Sequence, residues 1–229
     1  MESRMAAMSA AEERVLDRTQ VFRASMPYGA GALTTVLIAL CVVIHVLKVG
    51  GYEESILREL CMTGVLKEGD LGYRFVPRGL PEIREGEFWR LQTPILAHGD
   101  WLHLFFNMMW LFSLGSLIEA RLSTGKLGLL VVVVGVGSNL GQYFWKDALF
   151  FGMSGVVYGL LGYIWMKAKF DPGSGLFVHP YTVGMMLIWF VLCLASVVPH
   201  VANGAHAVGL GMGVLWGLLE SLPRMLRRA

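Results

Sequence analysis

The sequence predicts an all-α polytopic membrane protein, on three observations. Of 229 residues, 55% are apolar and only 16% are charged, against about 45–50% and about 25% in ordinary soluble domains. Mean hydropathy is +0.57. Six apolar stretches run roughly over 30–48, 102–119, 127–144, 153–169, 181–198 and 205–222. Each is near the length of a bilayer-crossing helix, since a core of ~30 Å takes about 20 residues at about 1.5 Å per residue. This composition excludes a disordered chain, a coiled coil and a disulfide scaffold. A soluble fold conflicts with size, because so short a chain must expose much of its surface to water. A net charge of +2 does not suggest nucleic-acid binding. Of Cys41, Cys61 and Cys193, two lie inside apolar stretches, so a disulfide framework is not expected.

The chain begins with a polar, charge-balanced stretch over 1–28. It sets Arg4, Arg14, Arg18 and Arg23 against Glu2, Glu12, Glu13 and Asp17. A secretory signal would place its apolar core nearer the start, so this stretch reads as a cytoplasmic tail and the first span as an uncleaved anchor. Lys and Arg in the short loops set the orientation. With the N-terminus inside, the inner segments collect Arg121, Lys126, Lys167, Lys169, Arg224, Arg227 and Arg228. The short outer segments hold only Lys48 and Lys146. The expected organisation is a tail over 1–28, a six-helix membrane domain over 29–222 and a basic cytoplasmic tail over 223–229, with both termini inside.

The first loop, about 50–100, carries six Lys/Arg and nine Asp/Glu; long loops translocate largely regardless of charge. Its charges alternate with Leu57, Leu60, Leu66, Phe75, Val76, Ile83, Phe88 and Trp89, which suits a segment lying partly in the headgroup layer. A small surface subdomain is the other reading. Glycines concentrate in spans three, four and six. Gly155 and Gly159 form one step of four; Gly209, Gly213 and Gly217 form a longer run. Small residues at this spacing let helices approach closely in lipid, so spans four and six are expected to be neighbours.

Polar residues inside apolar spans are costly and tend to be functional. Span four opens with Gly152-Met153-Ser154-Gly155 and span six with Asn203-Gly204-Ala205-His206. The glycines let another backbone approach the serine, and the helix start surrounds it with free N–H groups suited to a developing anion. Either residue alone reads as a packing serine or an interfacial histidine. Together, at one depth on close-packed helices, they can form a nucleophile and a general base. Glu220 is the nearest acid after His206, about four helical turns away, and Asp147 is the only acid near the start of span four. A dyad is therefore expected rather than a triad. A histidine base must be uncharged to accept the serine proton, so activity is expected to rise from acid toward neutral pH.

Span two starts His98-Gly99-Asp100-Trp101-Leu102-His103, with Asn107 one turn later. His103 and Asn107 share a helix face. They could donate to an oxyanion, or satisfy each other. A metal at His98 and His103 would need about three protein ligands, and no third is evident; neither metal nor cofactor is expected.

These residues resemble the rhomboid intramembrane serine proteases in their six-span bacterial form. The resemblance covers about 85–220. It includes Trp89-Arg90, His98, His103, Asn107, Gly115, Glu119, Gly152-Met153-Ser154-Gly155, Tyr158, Ala205-His206 and Gly209. It implies a six-helix rhomboid-like bundle in which Ser154 is the nucleophile and His206 the base. His103, Asn107 and the Ser154 backbone N–H would form the oxyanion hole. Tyr158 would hold the His206 ring, with Gly152, Gly155 and His98 in support. Trp89, Arg90, Glu119 and Gly209 would be structural. Span five and the 199–204 loop would act as gate and cap. Implied partners are the bilayer and single-span membrane proteins cut near its surface, and the implied location is a bacterial inner membrane. A non-proteolytic relative that binds client helices is the runner-up, although such relatives usually lose the serine or the histidine. A transporter would show inverted repeats, which are not evident. A membrane esterase could use the same dyad. The sequence carries no signal of oligomeric state.

Overall fold

A computed structural model describes residues 31–68, 72–75, 79–145, 150–198 and 201–226. The expected tail over 1–28, together with Val76, Lys146, Asp147, Arg227 and Arg228, lies outside the described residues.

Helix α1 (Ala32–Leu47) is apolar except for Thr34, Thr35 and His45. It continues through a wide turn at Lys48–Tyr52, where Gly51 takes φ 105°, into α2 (Glu53–Leu60). Glu53 and Glu54 stand at the start of α2 and Arg58 at its end, matching the helix dipole. The first loop then departs from the all-α expectation. Strands β1 (Val65–Glu68) and β2 (Gly72–Phe75) pair antiparallel, with Val65 opposite Phe75 and Glu68 opposite Gly72. One short helix, α3 (Pro81–Arg84), and two 3₁₀ turns, Phe88–Leu91 and Thr93–Leu96, complete the loop. Its apolar residues divide, with Leu57 and Ile83 buried and Phe88 and Trp89 exposed.

Four long helices follow, with a shorter one among them. They are α4 (Trp101–Arg121), α5 (Thr124–Trp145), α6 (Ser154–Phe170), α7 (Pro180–Leu194) and α8 (Asn203–Leu226). Among the described residues, four segments are long and apolar enough to cross a membrane: Ala32–Leu60, α4, α5 and α8. Helix α6 has 17 residues and α7 has 15. The fifth span was expected to reach 198, but α7 stops at Leu194. A tight turn, with Ser196 at φ 58°, closes it.

Helix α6 forms the centre of the bundle, and every residue from Gly155 to Ile164 is buried. Its glycine face lies on that of α8. A methyl at Gly209 would overlap the Gly155 carbonyl, and one at Gly213 would overlap the Gly159 carbonyl. The two backbones therefore touch, as the glycine spacing anticipates. Polar clusters lock the far ends of these helices. Glu220 of α8 accepts from Tyr163 Oη and Trp216 Nε1, each at 2.7 Å, and pairs with Lys126 of α5. Buried Asp171 joins Lys167 (2.5 Å) and Arg224.

Candidate functional site

The site forms at the other end of α6 and α8. Ser154 is the first residue of α6, and His206 lies in the first turn of α8. Glycine contact between the helices brings Ser154 Oγ to 2.8 Å from His206 Nε2. His206 is 6% exposed. Its Nδ1 has no hydrogen-bond partner among the described residues. The Tyr158 ring, one turn after the serine, lies 4.8 Å from the His206 ring centre at 42°. Tyr158 Oη donates to the Met186 carbonyl of α7 at 3.2 Å, and its ring meets Phe190 at 5.6 Å. One tyrosine thus packs on the histidine and ties α7 to α6.

The turn before Ser154 is held from the first loop. Gly152 takes φ 128°, a conformation L side chains avoid, and its N–H donates to the Pro94 carbonyl at 2.9 Å. A methyl there would come within 2.8 Å of the His103 ring. His98 is fully buried. Its Nε2 accepts from the Met153 N–H (3.4 Å), and its Nδ1 lies 3.3 Å from the Leu96 carbonyl. These partners place the proton on Nδ1. Burial, followed by the neighbouring His103, pushes the His98 pKa down to about 3.

His103 is set by the start of α4. Asp100 Oδ1 caps the helix by accepting from the His103 N–H at 2.9 Å, which holds the Asp100 carboxyl below its usual range. The Gly99 N–H donates to His103 Nδ1 at 3.4 Å, which leaves the ring proton on Nε2. Asn107 Nδ2 donates to the His103 carbonyl at 3.0 Å, within its own helix. The Ser154 N–H belongs to the first turn of α6, where N–H groups have no intrahelical acceptor.

The structure thus gathers Ser154, His206, Tyr158, Gly152, Gly155, His98 and His103 around one turn. Trp89, Arg90 and Glu119 stand apart from it. Arg90 is buried, pairs with Glu87, and donates to the carbonyls of Arg58 (2.5 Å) and Cys61 (3.0 Å), pinning the loop to the end of α2. Trp89 is half exposed. Glu119, at the far end of α4, accepts from the N–H groups of Leu33 and Thr34 and from Thr34 Oγ1. It therefore caps the otherwise unpaired start of α1. Among the described residues, no group of three or more His, Cys, Asp or Glu comes together to hold a metal.

Sequence reasoning passed over several supporting residues. Gln142 of α5 accepts from the Ala205 N–H beside His206 (3.1 Å). Asn139 of α5 binds the Leu91 carbonyl (2.9 Å), and Gln92 binds the Val131 carbonyl (3.1 Å). Both α5 amides sit inside an apolar span, the same signal that singled out His206. A family model described as Rhomboid domain matches residues 85–222, more than half of the chain.

Proposed function

The chain belongs to the rhomboid family of intramembrane proteins, and from that premise we propose that it is a serine endopeptidase that cleaves single-span membrane proteins near the outer membrane surface. The observation that carries this reading is the 2.8 Å contact between Ser154 Oγ and His206 Nε2 on two helices held glycine to glycine. In this reading His206 Nε2 takes the serine proton as Oγ attacks the scissile carbonyl. It then returns that proton to the leaving amine. Water attacks the acyl-enzyme in the second half, with His206 again as base. His103 Nε2–H, Asn107 Nδ2 and the Ser154 N–H serve the oxyanion. Asn107 must turn from its own helix to do so. Tyr158 restrains the imidazole in place of a third acidic member.

The whole chain makes six crossings, with the tails over 1–28 and 223–229 in the cytoplasm and the membrane domain over 29–222. The setting is a bacterial inner membrane. With 17 residues, α6 spans about 26 Å at about 1.5 Å per residue, less than a ~30 Å core. In this reading its serine end is the recessed one, below the outer surface at the floor of a basin that admits water.

The test is labelling of purified full-length protein with a fluorophosphonate probe, beside Ser154→Ala and His206→Ala. The expected outcome is labelling of the wild type alone, followed by cleavage of a single-span reporter in proteoliposomes. A folded wild type that stays unlabelled would favour a client-binding protein instead. Labelling that survives Ser154→Ala would mean another nucleophile.

A further inference from the structure

Lys48 enters the sequence argument only as a charge at the end of the first span, yet its side chain reaches the candidate site. The wide turn at Lys48–Tyr52, broken by left-handed Gly51, ends α1. Such irregular turns are frequent at functional sites. The Lys48 side chain is 11% exposed. Its ammonium donates to the carbonyls of Gly99 (2.8 Å) and His98 (3.2 Å), pairs with Glu53 (3.4 Å) and lies 5.7 Å from the centre of the Phe151 ring.

One of these contacts has a direct electronic path to His103. The His98 carbonyl and the Gly99 N–H belong to one peptide unit. Lys48 draws on its oxygen, while its N–H donates to His103 Nδ1 at 3.4 Å. Hydrogen bonds in series polarise one another, and low dielectric strengthens the effect. A cation on the carbonyl makes the opposite N–H a better donor. A well-filled Nδ1 keeps the proton on Nε2, the atom beside Gly152.

We propose that Lys48 is a positioning residue of the hydrolytic site, acting through the His98–Gly99 peptide to hold His103 as an Nε2–H donor aimed at the oxyanion. The proposal rests on the hydrolase reading above. It deepens that reading by adding α1 and the first loop to the machinery. The same ammonium also sits against Phe151, three residues before Ser154, so one cation braces the donor and the nucleophile turn together. A purely structural lysine would tie α1 to the loop and leave the imidazole tautomer alone.

The experiment uses the full chain in detergent, as wild type, Lys48→Met, Lys48→Gln and Lys48→Arg. Three quantities are read: steady-state cleavage of a single-span reporter, melting temperature, and side-chain ¹⁵N NMR of histidine-labelled protein with the His103 signal assigned by His103→Gln. Removing one oxyanion donor outright costs about 100-fold or more in kcat. Weakening it is therefore expected to lower kcat by about 10-fold in Lys48→Met, with KM and melting temperature little changed. Lys48→Gln falls between, and Lys48→Arg recovers most of the rate. His103 reads as Nε2–H in the wild type and gains an Nδ1–H population in Lys48→Met. Wild-type kcat in Lys48→Met overturns the proposal, as does an unchanged tautomer or a loss that Arg fails to rescue. If Lys48→Met does not fold, equal rates for the Gln and Arg variants overturn it. A wild type that neither labels nor cleaves sinks the hydrolase reading itself, an outcome separate from all of these.

Discussion

His98 shows how one side chain can carry both structure and a pH signature. Its pKa in the fold is about 3, against 6.5 for the free side chain. Between those values the unfolded chain binds a proton that the native ring refuses. The contribution of His98 to stability is therefore complete above about pH 6.5 and is lost as pH drops toward 3. The expected result is a melting temperature in detergent that declines from pH 7 to 4, with a shallower decline in His98→Gln. Equal declines in the two proteins would remove His98 from the explanation. At this scale the sequence was readable where an unusual residue type broke an apolar run, as at Ser154, His206 and His103. It was unreadable where the meaning lay in a distant partner. Arg90 reads as structural only through the family resemblance, and only the fold shows its partners, the carbonyls of Arg58 and Cys61. Lys48 follows the same rule, since its partners lie 50 and 51 residues away.

Among the elements, the α6–α8 pair decides whether the site exists. Gly213 lies two turns below His206 and touches nothing that reacts, yet any Cβ there overlaps the Gly159 carbonyl. The helices must separate to accept it, and small misplacements of reacting groups cost about 100-fold. Gly213→Ala is expected to lose most fluorophosphonate labelling. Gly211→Ala, on the same helix with nothing within 4 Å of the new methyl, is expected to keep it. Matching rates for the two would show that the spacing of the helices does not govern the reaction. This contact was legible because glycine spacing reports backbone approach directly. The hairpin of β1 and β2 was not, since its short strands lie in a loop of mixed charges with no clean alternation. The early end of α7 was hidden too, because Val197 continues the apolar run past the turn that stops the helix.

For the molecule as a whole, the proposed hydrolysis at Ser154, on a helix buried in the bundle, would set what a substrate must do. A helical substrate presents carbonyls already hydrogen-bonded within itself, so it must unwind before one can meet Ser154 Oγ. Replacing two glycines around a cut site with Ala adds about 1 kcal/mol each of helix preference. Cleavage in proteoliposomes is expected to slow by at least about tenfold. Unchanged cleavage would mean that unwinding is not required. The six apolar runs, read as a whole, anticipated a helical membrane bundle. The 153–169 run anticipated α6 to within a residue at each end, and so short a helix need not match the bilayer when protein surrounds it.

That sheltering also sets when the site can come into being. Helix α6 turns a glycine-lined face toward a helix that the ribosome makes later. Ser154 enters the membrane some 50 residues before His206 is synthesised. Until α8 docks, the proposed nucleophile has no base, and the Gly155, Gly159 and Gly162 face is covered only in part, by Val134 and Ser138 of α5. Maturation therefore waits on the final helix. On the proposed reading, a nascent chain or one truncated before α8 is inert, and a cell making this protein is shielded from that chemistry until the last segment is in place.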